Sequence, residues 1–197
     1  MPWPEPVTLE GKLATLVPLT QAHAEDLAEA AAEGGLHRLW YTAVPAPEKV
    51  PAEIGRRLGL QAAGSMLAFA ILCAESGNAV GMTTYMNIDA ANKRVEIGST
   101  WYRPAVQRSG LNTECKLMLL RHAFETLGCI AVEFRTHFMN RQSRAAIERL
   151  GAKLDGVLRS HQKLADGSLR DTCVYSIVAS EWPAVRNHLT WQLDRHR

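Results

Sequence analysis

At 197 residues, with 47% hydrophobic and 21% charged residues, the chain has the size and make-up of a globular protein able to bury one full core. The net charge of +2 is too small to make nucleic acid the main partner, and no run approaches the ~18 apolar residues of a membrane span. Cys73, Cys115, Cys129 and Cys173 are scattered, with no CxxC pair and no histidine at ligand spacing, so free thiols are expected rather than disulfides or a metal site. Met1 to Pro6 carries three prolines and no apolar stretch, so no signal peptide is expected and a cytoplasmic location is.

In chain order, Lys12 to Leu19 alternates as a first strand, and Thr20 caps a helix through Ala22, Leu27 and Ala31 that ends at Gly34-Gly35. Leu36 to Pro51 is irregular, and a second helix fits Ala52 to Ala63 despite Gly55 and Gly59. Met66 to Leu72 and Ala79 to Asn87 are strands joined by Ser76-Gly77-Asn78, and a further strand follows Asn92 and includes Val95 to Tyr102. The helix after Gly110 puts Leu117, Leu120, Phe124 and Leu127 on one stripe, with Glu114, Arg121 and Glu125 away from it, and Gly128 ends it. Ile130 to His137 alternates as a fifth strand, and Asn140 caps a short helix, Arg141 to Leu150. Two strands, near Val157 to Lys163 and Asp171 to Val178, flank the turn Ala165 to Ser168. A last helix begins at Glu181-Trp182-Pro183, with Val185, Leu189 and Leu193 as its inner face. This order makes one mixed α/β domain over residues 1–197. The tail from Trp191 to Arg197 is expected to be a lid or a subunit contact, the latter implying a homodimer.

The loop Val106 to Thr113, between the fourth strand and its helix, is the most informative stretch. Such a loop leaves the first helical N–H groups unpaired, and the helix dipole adds positive potential there, as a pyrophosphate requires. It is not G-x-G-x-x-G and lacks the Lys-Ser/Thr of a P-loop, so the loop alone is equally a tight strand-to-helix turn.

Gln107-x-x-Gly110-x-Asn112 resembles the Q/R-x-x-G-x-G/A signature of the GNAT acetyltransferase superfamily. Val95-Glu96-Ile97-Gly98, Asn140-x-x-Ser143, Glu148-Arg149-Leu150-Gly151 and Asp155-Gly156-Val157-Leu158-Arg159 resemble its ribosomal-protein N-acetyltransferase (RimJ/RimL-like) branch. Asp166-Gly167, Asp171-x-x-Val174-Tyr175-Ser176 and Glu181-Trp182 extend that likeness over about residues 8–183. The resemblance implies a GNAT fold, a mixed and mostly antiparallel sheet that splays open at the cofactor. It also implies acetyl-CoA as co-substrate and direct acetyl transfer to a primary amine, either a small molecule or a peptide or protein N-terminus. A non-catalytic acyl-CoA-binding or sensing module is the alternative from another class.

Within that resemblance, backbone N–H groups around Arg108, Gly110, Asn112 and Thr113 would hold the pyrophosphate, and Gly110, without a Cβ, allows close approach. Arg108 supplies a charge for a phosphate or is a plain surface arginine. Asn112 stands where the pattern prefers Gly or Ala, and tolerates left-handed or turn geometry. The pantetheine arm would lie along Thr100, Trp101 and Tyr102. Asn140 caps its helix and, by the resemblance, also bonds the arm, while Ser143, one turn in, either donates a proton to the leaving thiolate as a catalytic residue or only hydrogen-bonds near the cofactor sulfur. The tyrosine that many members carry seven residues after that Asn is Ile147 here. Glu96 is the first candidate for the general base, or else a structural or substrate-orienting carboxylate, and a bulge beyond it would shift the facing of the residues that follow. His137 is a second base candidate or a structural histidine. Trp40, Tyr41, Tyr85 and Trp101 either wall the acceptor pocket or pack in the core. Cys115 and Cys129 have no evident activating group.

Overall fold

The computed structural model describes residues 3–195, so Met1, Pro2, His196 and Arg197 of the two terminal segments lie outside the described residues. Its strands are β1 (Leu9–Glu10), β2 (Ala14–Pro18), β3 (Met66–Cys73), β4 (Ala79–Asp89), β5 (Arg94–Tyr102), β6 (Ala131–His137), β7 (Lys153–Lys163) and β8 (Leu169–Val178). Its α-helices are α1 (Ala24–Ala32), α2 (Val50–Ala62), α3 (Leu111–Arg121), α4 (Arg141–Glu148) and α5 (Trp182–Arg195). The strands form one sheet in the order β1-β2-β3-β4-β5-β6-β8-β7. Every neighbouring pair is antiparallel except β5 and β6, which run parallel and pair only from Arg94 to Glu96 against Ala131 to Glu133. The mostly antiparallel, splayed α/β sheet expected from the sequence is therefore present. The short β1 was not foreseen.

β3 shows why two helical layers are needed. Its unbroken apolar run is buried on both faces, as a central strand must be. Leu67, Phe69 and Ile71 join a core with Leu119 and Leu120 of α3, whereas Ala68 and Ala70 join a second core with Leu27 of α1 and Ile54 of α2. The sheet thus separates an α3 side from an α1/α2 side.

Between β4 and β5 the register passes from Thr84–Gly98 to Met82–Trp101, so β5 holds one residue more than its partner. Ser99, at φ +47°, takes up the excess. Beyond this bulge the facing is shifted. Tyr102 sits in the α3-side core with Val95 and Ile97, and Trp101 in the α1/α2-side core. The strands approach so closely there that a Cβ on Gly81 would lie 2.2 Å from the Trp101 carbonyl oxygen, which only glycine avoids.

The helix from Leu111 also departs from expectation. It is regular to Arg121 and finishes in a π turn, His122–Thr126, and Glu114 is buried instead of facing solvent. The chain between β1 and β2 turns its N–H groups onto this helix, and the Glu114 carboxylate accepts from Lys12 (2.9 Å), Leu13 (2.7 Å) and Ala14 (3.0 Å).

Candidate functional site

β5 and β6 share no pair beyond Glu96 and Glu133, so the β6-facing edge of β5 from Ile97 to Tyr102 keeps backbone groups free for another partner. The chain leaves this edge through a short 3₁₀ turn, Pro104–Val106, into the loop before α3. Gln107 Nε2 donates back to the Tyr102 carbonyl (3.0 Å), and the Ser109 hydroxyl donates to the Val106 carbonyl (2.7 Å). These bonds hold the loop while the N–H groups of Arg108, Ser109, Gly110, Asn112 and Thr113 find no acceptor among the described residues. Five open donors at a helix N-terminus are a ready site for a phosphate.

Details differ from the sequence reading. The left-handed residue is Arg108, at φ +62°, and not Asn112, which lies in the first helical turn with its Oδ1 buried and without a partner among the described residues. A Cβ on Gly110 would meet Leu13 (3.0 Å) and Leu193 (3.4 Å), so its smallness serves packing against the β1–β2 turn and α5. Thr113 Oγ1 accepts from Arg149 Nη1 (2.9 Å), which also reaches Gln192 (3.1 Å). With Val185 and Leu189 buried, α5 is tied alongside α3 and α4. A cavity of about 1230 Å³ opens beside the loop, between α3, α5 and the β1–β2 turn. Arg108 to Leu111 form part of its wall, but no residue of β6 or α4 does, so it is distinct from the gap between β5 and β6.

The β5 bulge is held from both faces by buried cations that the sequence reading missed. On the α1/α2 side Arg57, 1% exposed, donates through Nε to Glu53 (2.8 Å) and through Nη2 to the Ser99 carbonyl (3.2 Å), and its Nη1 has no partner among the described residues. On the α3 side Lys116 Nζ donates to Thr100 Oγ1 (2.8 Å), which lies 2.7 Å from Thr83 Oγ1. Burial pulls the Lys116 amine down to about 8. A lysine one turn before Leu120, breaking an apolar stripe, was the available signal; Arg57 gave none.

In the last pair of β5 with β6, just before the gap and the bulge, Glu96 is 5% exposed. Its Oε2 accepts from Asn87 Nδ2 (2.6 Å) and lies 3.5 Å from Arg135 Nε. Burial raises its carboxyl above the usual range, opposed by the Asn87 bond and the Arg135 charge. His137, at the end of β6, is buried, and its Nδ1 accepts from the Met139 N–H (3.0 Å). That bond leaves the ring proton on Nε2, a buried donor with no partner among the described residues, so of the two readings, base or structural histidine, the base lacks a free acceptor nitrogen. Burial, then the Arg170 charge, lowers its pKa.

Trp40, 56% exposed, meets His137 edge-to-face at 5.1 Å and Tyr41 at 5.6 Å, so the segment between α1 and α2 reaches the end of β6. Tyr85 does not line a pocket: it is wholly buried, with its hydroxyl bonded to the Leu119 carbonyl (2.5 Å). Trp101 and Tyr102 are buried on opposite faces, and Trp101 Nε1 has no hydrogen-bond partner among the described residues. Asn140 caps α4, its Oδ1 accepting from the Ser143 N–H (3.0 Å); Ser143 is half-buried and Ile147 is core. Burial pushes the Cys115 thiol up to about 12 and Cys129 up to about 11, so neither is a ready nucleophile. Among the described residues no cluster of three or more His, Cys, Asp or Glu could hold a metal ion, and no helix is long and apolar enough to cross a membrane.

Comparison with known proteins gives a consistent answer. Residues 14–153 match the family described as acetyltransferase (GNAT) domain. YdaF, a candidate ribosomal N-acetyltransferase of Bacillus subtilis (strain 168), is 31% identical over 106 residues, 54% of this chain. The match spans 57% of that relative's own length. A GCN5-related N-acetyltransferase from Brucella melitensis superposes with a TM-score of 0.88 at 30% identity, covering 98% of this chain and 87% of that one. A candidate acetyltransferase from T. thermophilus gives a TM-score of 0.84 at 33% identity, covering 97% and 99%.

Proposed function

Because this chain belongs to the GNAT acetyltransferase family, whose members use acetyl-CoA, we propose that it transfers an acetyl group from acetyl-CoA to an amine, most specifically the N-terminal amine of a protein or peptide. One observation carries the reading: the unpaired edge of β5 runs directly into five open N–H groups at the start of α3. An extended arm along the edge and a pyrophosphate at the helix end fit these two features in sequence. Arg108 and the N–H groups of Ser109, Gly110, Asn112 and Thr113 hold the pyrophosphate. The backbone of Thr100 to Tyr102 and the Asn140 amide hold the arm. Acetyl-CoA, when bound, supplies the thioester.

The remaining work falls to the residues of this chain. The bulge turns a backbone N–H near Trp101 or Tyr102 toward the carbonyl oxygen, where negative charge gathers during attack. Glu96, buried and held above the usual carboxylate range, takes the amine's proton directly or through water. The Nε2–H of His137 beside Trp40 is a donor for the carbonyl that follows an N-terminal amine, and the likeness to YdaF supports a protein acceptor. The whole chain acts as one domain, in the cytoplasm where ribosomal proteins are made.

The test is CoA release with a panel of peptide and small amines, alongside Glu96→Gln. Glu96 must be ionised to act, so kcat should rise with pH through its raised pKa. In the variant kcat should fall about 100-fold and this limb should vanish, with acetyl-CoA binding unchanged. Absence of any thermal shift at millimolar acetyl-CoA would overturn the reading; binding without turnover of any amine would leave an acyl-CoA-binding module.

A further inference from the structure

Lys116 is a buried ammonium without a carboxylate. Its only hydrogen-bond acceptor among the described residues is the Thr100 hydroxyl, 2.8 Å away. The titratable neighbours are identifiable element by element. On α3 itself, Glu114 is committed to three N–H groups of the β1–β2 turn, and burial keeps the Cys115 thiol neutral. β5 brings Tyr102 and β4 brings Tyr85, both pushed well above the usual phenol range by burial and therefore also neutral. An ammonium left in such surroundings is costly unless an anion comes to meet it.

The place where an anion can arrive is set by Thr100. An ammonium only donates, so the Thr100 oxygen must accept from it, and the hydrogen of Thr100 is left for another acceptor. Thr83 Oγ1 (2.7 Å) and the Gly98 carbonyl (3.3 Å) are its present neighbours. Thr100 itself is only half-buried, and it lies in the bulge, four residues past the last β5–β6 pair. The pair therefore has a closed end at Lys116 and an accessible end at the gap.

We propose that Lys116, acting through the Thr100 hydroxyl, is a positioning residue that receives the negative charge of the departing thiolate. This rests on the acetyl-transfer reading above. As the C–N bond forms and the C–S bond breaks, the electron pair leaves on sulfur. The amine's proton goes to Glu96, Lys116 keeps its protons, and the thiolate takes a proton from water after release. The role answers a gap in the sequence, since the tyrosine that could serve the leaving group is Ile147, held in the core.

Reduced CoA titrated into the wild-type protein at about pH 7.5 should bind as thiolate, giving ultraviolet thiolate absorbance above that of free CoA. Lys116→Met should still bind CoA but lose that absorbance. With acetyl-CoA its kcat should fall about 100-fold while KM changes less than about threefold. Thr100→Val, which keeps the lysine, should show the same loss and serves if the first variant does not fold. Wild-type protein that binds CoA only as thiol, or variants with undiminished thiolate absorbance, would overturn this inference and leave acetyl transfer standing. Wild-type protein that binds no CoA would overturn both.

Discussion

Glu114 and Lys116 lie two residues apart on α3, equally buried at 7% exposure, on nearly opposite sides of the helix. Glu114 faces the β1–β2 turn and accepts three backbone N–H bonds from it. Lys116 faces the β5 bulge and has one hydroxyl. The first arrangement satisfies both partners, since three N–H groups in a turn would otherwise be orphaned. The second leaves a charge under-compensated beside an open strand edge. A buried ion with complete hydrogen bonds is part of the scaffold; one with an incomplete set, next to an access route, is arranged for something that arrives. Lys116 and Arg57, whose Nη1 has no partner among the described residues, are both of the second kind and both touch the bulge.

The sharpest way to break this contrast is Glu114→Ala. Removing the carboxylate strands three donors, and the expected loss of stability is about 3 kcal/mol or more, read from denaturant unfolding. A loss below about 1 kcal/mol would mean that water replaces the carboxylate and that the turn does not depend on it. Lys116→Met should move stability the opposite way. The folded-state amine titrates at about 8 and the unfolded one at the ordinary 10.5. Below about pH 8 the folded protein carries the full cost of the buried ammonium. Between the two values the unfolded chain binds more protons, so wild-type stability should rise with pH across that window. The variant should lack this rise and be more stable at about pH 7 by about 1–2 kcal/mol. A variant less stable than wild type at neutral pH would mark Lys116 as structural.

Much of this was legible in the chain. Alternation, capping residues and glycines placed nearly every strand and helix, because those signals act within a few residues. The gap could be anticipated from the family resemblance, and Gln107 to Thr113 from the strand-loop-helix pattern. Tyr85, open between pocket wall and core, and Glu114, expected away from the buried stripe, could not be placed locally. Whether Tyr85 lines a pocket depends on the Leu119 carbonyl, 34 positions away, and whether Glu114 is buried depends on N–H groups about 100 positions away. His137 is equally open in the sequence, as a base whose pKa range suits the task or as a structural histidine. Only the Met139 N–H, which fixes the tautomer, shows it to be a donor. Local pattern reports what a residue can do, and distant partners decide which of its atoms are left to do it.

Asn140 offers the smallest and finest test, because its two side-chain atoms fall on the two sides of the contrast. Oδ1 is committed to the α4 cap through the Ser143 N–H, while Nδ2 has no hydrogen-bond partner among the described residues. Asn140→Ala removes both and should cost about 1 kcal/mol of stability. Asn140→Ser keeps a capping oxygen and removes only the free amide donor, so stability should stay within a few tenths of a kcal/mol of wild type. If Nδ2 bonds the arm of acetyl-CoA, this second variant should still raise KM for acetyl-CoA about fivefold, the worth of one hydrogen bond of about 1 kcal/mol. An unchanged KM in a stable Asn140→Ser protein would assign Asn140 to the cap alone, and would move the hold on the arm to the β5 edge.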